Sequence, residues 1–226
     1  MVLESVAFDI ETTGFGVDDA VTVVGFAVPM GVRVFVQTSG RSVNGIETRV
    51  RERVDEHVVV SVHESEPELL EGVGEFVGRR LCDREVLLVA YNGERWKSGF
   101  DLPFLRTRLA QHSLAWPFND VPYADLLPVI SRRFNTTTGS DASGDGSQSD
   151  LVGAYETLCG GEYSGLDPFE ESKEAVSAFE AGRFDDVVVH NVADVLRTQA
   201  LGRLAESYCS KSDFNLKSLT PTITDS

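Results

Sequence analysis

Phe8-Asp9-Ile10-Glu11-Thr12-Thr13-Gly14 closes the first apolar segment of the chain, and its reading decides the rest. Val2–Asp9 is mostly apolar, as a buried central strand requires. A strand repeats every two residues, so Asp9 and Glu11 point to one face at its end. Thr12-Thr13-Gly14 then leaves the strand through a polar turn. Two carboxylates on one face repel each other unless a cation lies between them. A solvated strand end on an acidic protein carries the same pair, so D-x-E alone leaves both readings open.

Outward from this strand, Ala20–Pro29 and Val32–Thr38 are β-branched runs separated by Met30-Gly31, a hairpin signal. Ile46, Val50 and Val54 recur every four residues, which predicts a short helix, and Val58–His63 reads as a short strand. Helical spacing of Leu69, Leu70, Val73, Phe76, Val77 and Leu81 predicts a helix over 67–81. Val86–Tyr91 (V-L-L-V-A-Y) is a buried strand, followed by a polar loop over Asn92–Gly99. Leu102–Gln111 follows as a helix, with Asp101 placed to be its N-cap and Pro103 in its first turn. A further strand near Val121–Tyr123 and helices over 125–134, 151–158, 171–181 and 186–207 complete the order. A meander of three strands followed by β-α-β units gives an α/β fold, a mixed sheet with helices on both faces.

Residues 1–210 are expected as one domain, the default for a chain of 226 residues. Thr136–Asp150 (T-T-T-G-S-D-A-S-G-D-G-S-Q-S-D) is low-complexity and expected as an inserted loop. The stretch 211–226 is expected as a flexible tail. No apolar run approaches the roughly 20 residues of a membrane helix, and no charged start precedes an apolar stretch. A soluble cytoplasmic protein with no membrane partner is the expectation. Cys82, Cys159 and Cys209 are far apart and odd in number, which argues against a disulfide framework or a zinc site.

The net charge is −16, from 36 acidic and 20 basic residues, and only four of the basic residues are Lys. This acid-rich, Lys-poor balance resembles that of proteins from salt-loaded, halophilic cytoplasms. It argues against a coat protein that binds phosphates by bulk charge. In molar salt the Debye length falls to about 3 Å, so an active site meets nucleic acid only through metal ions and short contacts.

Three segments carry a family resemblance. F-D-I-E-T-T-G over 8–14 resembles the first motif of the DEDD, or DnaQ-like, 3′→5′ exonucleases. Asn92 together with F-D-L-P-F-L over 100–105 resembles the second, in the form found in the exonuclease domains of family-B DNA polymerases. H-N-V-A-D-V over 190–195 resembles the third. The resemblance implies a ribonuclease-H-like fold. It also implies two Mg²⁺ or Mn²⁺ ions held by Asp9, Glu11, Asp101 and Asp194, with Asp9 as the bridge. Oxygen ligands suit these hard cations, which activate a water and neutralise the leaving oxygen of a phosphodiester. Thr12, Thr13, Gly14, Asn92 and Phe104 fall on the substrate side of the same motifs.

The residues also admit blander readings. An aspartate in the position of Asp101 is commonly only a helix cap. His190 and Asp194, four apart, lie beyond the edge of an apolar arc formed by Val188, Val189, Val192, Val195, Leu196, Ala200 and Leu204; this spacing also makes a solvated pair.

Two departures stand out. The family places Tyr four residues, or His five residues, before the last aspartate as the group that positions or deprotonates the water. This chain has His190 four before Asp194. One residue turns a helix by about 100°, so the slots differ, although His190 has the reach and chemistry of a general base. The loop after Asn92 is longer than the family's turn and carries Arg95, Trp96 and Lys97. That triplet suits base stacking and phosphate contact, and equally an exposed loop. Arg106, Arg108, Arg132 and Arg133 are further candidates for phosphate. The expected activity is removal of nucleotides from a 3′ end, with single-stranded DNA as the substrate. An RNA-processing exonuclease and a catalytically degenerate binding module are the alternatives.

Overall fold

A computed structural model describes residues 4–82, 84–94, 100–137, 149–171 and 173–222. The chain forms one seven-stranded mixed sheet. Strand β1 (Glu4–Thr12) is flanked by antiparallel β2 (Val21–Val28) and parallel β5 (Val86–Ala90). Beyond β2 lie antiparallel β3 (Gly31–Gln37) and then β4 (Val58–His63), parallel to β3. Beyond β5 lie parallel β6 (Pro122–Asp125) and antiparallel β7 (Lys217–Ser218). The expected hairpin closes with Val28 opposite Gly31. Gly31 has φ +132°, and a Cβ there would lie 2.1 Å from the His57 carbonyl oxygen, so glycine is required.

Alternation along β1 builds two cores. Val6, Phe8 and Ile10 face α2 (Glu66–Arg80) and α3 (Asp101–Gln111) in a core rich in aromatic side chains. Ala7 points the other way, into a core shared with α1 (Ile46–Arg51), α4 (Leu126–Arg133), α5 (Leu151–Cys159), α6 (Lys173–Glu180) and α7 (Phe184–Tyr208). Helices thus cover both faces, as the order of elements predicts. No helix among the described residues is long and apolar enough to cross a membrane.

Three local expectations change. Asp101 does not cap α3: Phe100 holds the N-cap position, and Asp101 is the first helical residue. The single apolar arc expected of α7 understates its burial. Helices α5 and α6 pack over its outer side, so Asn191, Arg197, Thr198 and Gln199 are buried too. The segment after Lys211, expected as a tail, docks over 211–222. A 3-10 turn (Lys211–Phe214) is closed by a Ser210–Asp213 capping box, β7 extends the sheet, and Trp116 Nε1 donates to the Leu219 carbonyl at 2.9 Å. The element that accepts this docking is the edge of β6, which local sequence does not reveal.

Candidate active site

The carboxyl end of β1 opens into a cleft lined by Asp9, Glu11, Thr12, Gly14, Phe15, Phe100, Asp101, Lys173, His190 and Asp194. The chain turns from β1 to β2 on one side and from β5 to α3 on the other, which is where open α/β sheets leave crevices. The register of β1 against β2 shifts between Glu11 and Thr12, so the strand ends in an irregularity of the kind that re-aims side chains.

Four carboxylates arrive here from three elements. Asp9 and Glu11 come from β1, Asp101 from the first turn of α3, and Asp194 from the middle of α7. Asp101 is only 7% exposed. Gly93 lies close beneath it, where a Cβ would come within 2.8 Å of the Ala90 and Tyr123 side chains but stay at ordinary contact distance, 3.5 Å, from Asp101 Oδ2. Asp9 is held by Asn191, whose Nδ2 donates to Oδ2 at 2.9 Å. Asn191 reaches Asp9 by lying across Gly25, the residue opposite Asp9 on β2.

The cluster is electrostatically unsatisfied. Burial, and then the charges of Asp101, Glu11 and Asp194, push the Asp9 carboxyl well above the usual range; the Asn191 hydrogen bond opposes this. Asp101 is raised by burial and by Glu11, Asp125 and Asp194. Burial raises Asp194 despite His190 and Arg197. Burial lifts Glu11 to about 7, with His190 opposing and Asp194 and Asp167 adding.

A second layer ties the α7 acids to the loop before α6. Arg197, 1% exposed, donates to Asp194 Oδ1 at 2.8 Å and Asp167 Oδ2 at 3.0 Å. His190 Nδ1 lies 2.8 Å from Asp167 Oδ1. Burial alone would lower the imidazole, but Glu11, Asp167 and Asp194 outweigh it and hold it up to about 10. Hydrogen bonds from His190 and Arg197 keep Asp167 below the usual carboxylate range despite burial. Among the described residues, Asp9, Glu11, Asp101, Asp194 and Asp167 thus face one buried guanidinium and one imidazole, while Lys173 on the cleft wall is exposed and paired with Glu171. The surplus of acid, all oxygen donors, fits a divalent cation.

Other sequence candidates scatter. Thr12 Oγ1 donates to the Gly14 carbonyl at 2.7 Å, and both line the cleft. Thr13 is turned into its own loop, donating to Asp19 Oδ1 at 3.1 Å. Phe104 is buried, its ring 5.3 Å from that of Phe100, which lines the cleft. Asn92 takes a left-handed conformation, φ +66°, and lines a separate groove with Ser131 and Arg132. Arg108 is committed to buried Glu66 at 2.6 Å, Arg106 lies over the Trp116 ring, and Arg133 pairs with Asp213. Arg95, Trp96 and Lys97 lie outside the described residues.

No protein-family model matches this chain, and a search of curated proteins finds no match. The cleft itself therefore carries the functional reading. Sequence reasoning missed Asn191, Gly25, Asp167, Arg197 and Phe15. Gly25 had a signal, a glycine within a β-branched strand, which marks close approach of another group. Arg197 stands one turn after Asp194, the spacing of a helical ion pair. Asp167 had none, because only the fold of the α5–α6 connection brings it to His190.

Proposed function

We propose that this protein is a metal-dependent 3′→5′ exonuclease of the ribonuclease-H-like fold acting on single-stranded DNA. The observation that carries the reading is the convergence of Asp9, Glu11, Asp101 and Asp194, from three elements, on one buried cleft with too little countercharge. The three motifs resembling the DEDD exonucleases contribute these four acids. The meander β1–β3 beside parallel β1, β5 and β6 supports the fold assignment. The polarity of digestion rests on the resemblance.

Asp9, Glu11, Asp101 and Asp194 would hold two Mg²⁺ or Mn²⁺ ions, which when bound supply an activated water and neutralise the leaving oxygen. The chain's own contribution is positioning. Asn191 fixes Asp9, Arg197 fixes Asp194, and the packing of α7 on β1 and β2 sets the distance between them. Phe15, 72% exposed at the cleft rim, packs edge-on against Phe100 at 5.1 Å and offers a face on which a terminal base stacks. Among the described residues, a stacking platform with few free cations suits a short single-stranded end better than a duplex, whose binding draws on many phosphate contacts. It also agrees with a protein working in high salt, where phosphate contacts count for little.

The test is incubation of 5′-labelled and 3′-labelled DNA and RNA strands with Mn²⁺ or Mg²⁺ across a range of salt. The expected result is a ladder from 5′-labelled DNA and immediate release of label from the 3′ end, both abolished by Asp9→Asn. Preference for RNA would reassign the substrate. Absence of cleavage with all four substrates, in a folded protein that binds Mn²⁺, would leave a binding module.

A further inference from the structure

His190 is 5% exposed, one turn before Asp194 on α7, with its ring edge-on to Phe169 at 5.3 Å. Asp167 Oδ1 lies 2.8 Å from its Nδ1. Asp167 also accepts from Arg197 at 3.0 Å and from the Phe169 backbone N–H at 3.0 Å, so it is an anchored carboxylate. A carboxylate only accepts, so the hydrogen of this bond is on Nδ1. The other nitrogen, Nε2, faces the cleft, 3.8 Å from Glu11 Oε1 and 3.9 Å from Asp194 Oδ2. Both separations exceed hydrogen-bond distance. The three atoms lie within 4.8 Å of one another, the one such group of metal donors among the described residues.

These separations are those of ligands around an ion. A tetrahedral site with bonds of about 2.1 Å has edges of about 3.4 Å, so the two edges that meet at His190 Nε2 need to close by only a few tenths of an ångström. A carboxylate on the far ring nitrogen is the usual companion of a metal-bound imidazole, fixing its tautomer and orientation. Asp167 stands in that place.

We infer that His190 is a direct metal ligand: Glu11, His190 Nε2 and Asp194 form a mixed nitrogen–oxygen site for a first-row transition ion, with Asp167 orienting the imidazole. The inference rests on the same cleft as the nuclease reading and says which ion the cleft selects. It gives His190 a different use from the water activation that the resemblance implies. An imidazole ligand favours Co²⁺ or Zn²⁺ and, less strongly, Mn²⁺ over Mg²⁺, which keeps to oxygen donors. Asp9 and Asp101, lining the same cleft with oxygens alone, suit Mg²⁺ equally well.

Pulsed EPR of the Mn²⁺-loaded wild-type protein, with its histidines ¹⁵N-labelled, reads the ligand directly. The expected result is a nitrogen hyperfine coupling of a bound imidazole that disappears in His190→Ala. No coupling in the wild type, or coupling that persists in His190→Ala, overturns the inference. Calorimetric titration provides the second measurement. His190→Ala should weaken Mn²⁺ binding by ~10²-fold and Asp167→Asn by ~10-fold or more, the scale of lost ligand support. Mg²⁺ binding should change little; equal losses for both ions, or none for Mn²⁺, overturn it. Should His190→Ala not fold, His190→Gln, whose side-chain nitrogen is unlabelled, takes its place in both measurements. The nuclease reading fails separately: nitrogen-bound Mn²⁺ without strand cleavage removes that function and leaves this site standing.

Discussion

Gly25→Ala adds a single methyl, yet the geometry makes it a severe change. The new Cβ would lie 1.9 Å from Asn191 Oδ1, 3.0 Å from its Cγ and 3.2 Å from Val195 Cγ1. The closest of these falls about 1.5 Å short of ordinary contact. Asn191 is fully buried, so its amide cannot swing into solvent. It must leave Asp9, giving up the 2.9 Å hydrogen bond to that carboxylate. A lost hydrogen bond to a charged group costs about 1.5–3 kcal/mol, and overpacking about 1–3 kcal/mol. Against these, alanine restricts the unfolded chain and stabilises by about 0.4–1 kcal/mol. The net loss is about 3 kcal/mol, a fall in Tm of roughly 6–12 °C for a chain of this size. Displacing Asp9 by an ångström should also lower nuclease turnover by ~10²-fold.

The assay is urea unfolding of the metal-free protein beside turnover on a 5′-labelled strand. Gly78→Ala is the control: nothing lies within 4 Å of that added Cβ on α2, so helix propensity alone should stabilise it by up to ~1 kcal/mol. In Gly25→Ala/Asn191→Ala the methyl has room, so the double variant should lose less than the two single losses combined. Wild-type stability in Gly25→Ala, or strict additivity in the double variant, would refute the account of Asn191 and Gly25 as a pair that places Asp9.

Three further outcomes are expected. Metal-free protein should lose stability as pH rises from about 4.5 to 10. The raised pKa of Glu11, about 7, imposes a penalty that is absent below its unfolded value and full above 7; His190 contributes stability present below about 6.5 and lost as pH rises through about 10. Saturating Mn²⁺ should flatten that fall, and chemical denaturation with and without EDTA checks both; metal-free stability that instead climbs over this range would contradict the electrostatic account. Arg197→Ala should cost about 3–5 kcal/mol, because it strips the partner from two buried carboxylates; a loss under about 1 kcal/mol in urea unfolding would show that the bridge does not form. Phe15→Ala, in an Asp9→Asn background that spares the substrate, should weaken single-stranded DNA binding by about 1–3 kcal/mol in fluorescence anisotropy while Tm holds, and unchanged affinity would remove the stacking platform.

The sequence by itself determined the elements and which acids to watch. Periodicity located β1 and the helices because burial on one face writes a repeat of 2 or 3.6 into the chain. It also put Asp9 and Glu11 on one side of a strand end, since that follows from strand geometry alone. Tertiary structure decided everything that depends on a partner distant in the chain. Asp101 was legible at a helix start and as one of the four acids of the motifs, but its burial at the cleft, 7% exposed in the first turn of α3, is set by the packing around it. His190 was legible as one turn from Asp194. Its orientation comes from Asp167, 23 residues away, and Arg197 at 1% exposure is concealed from any pattern that ranks arginine as surface. The span of α7 looked one-sided because periodicity records the sheet it packs on; the covering helices α5 and α6 leave weaker traces, and they bury the polar residues that hold the site. A buried polar network obeys hydrogen-bond geometry in three dimensions rather than any spacing along the chain, so its members become visible only once the fold has brought them together.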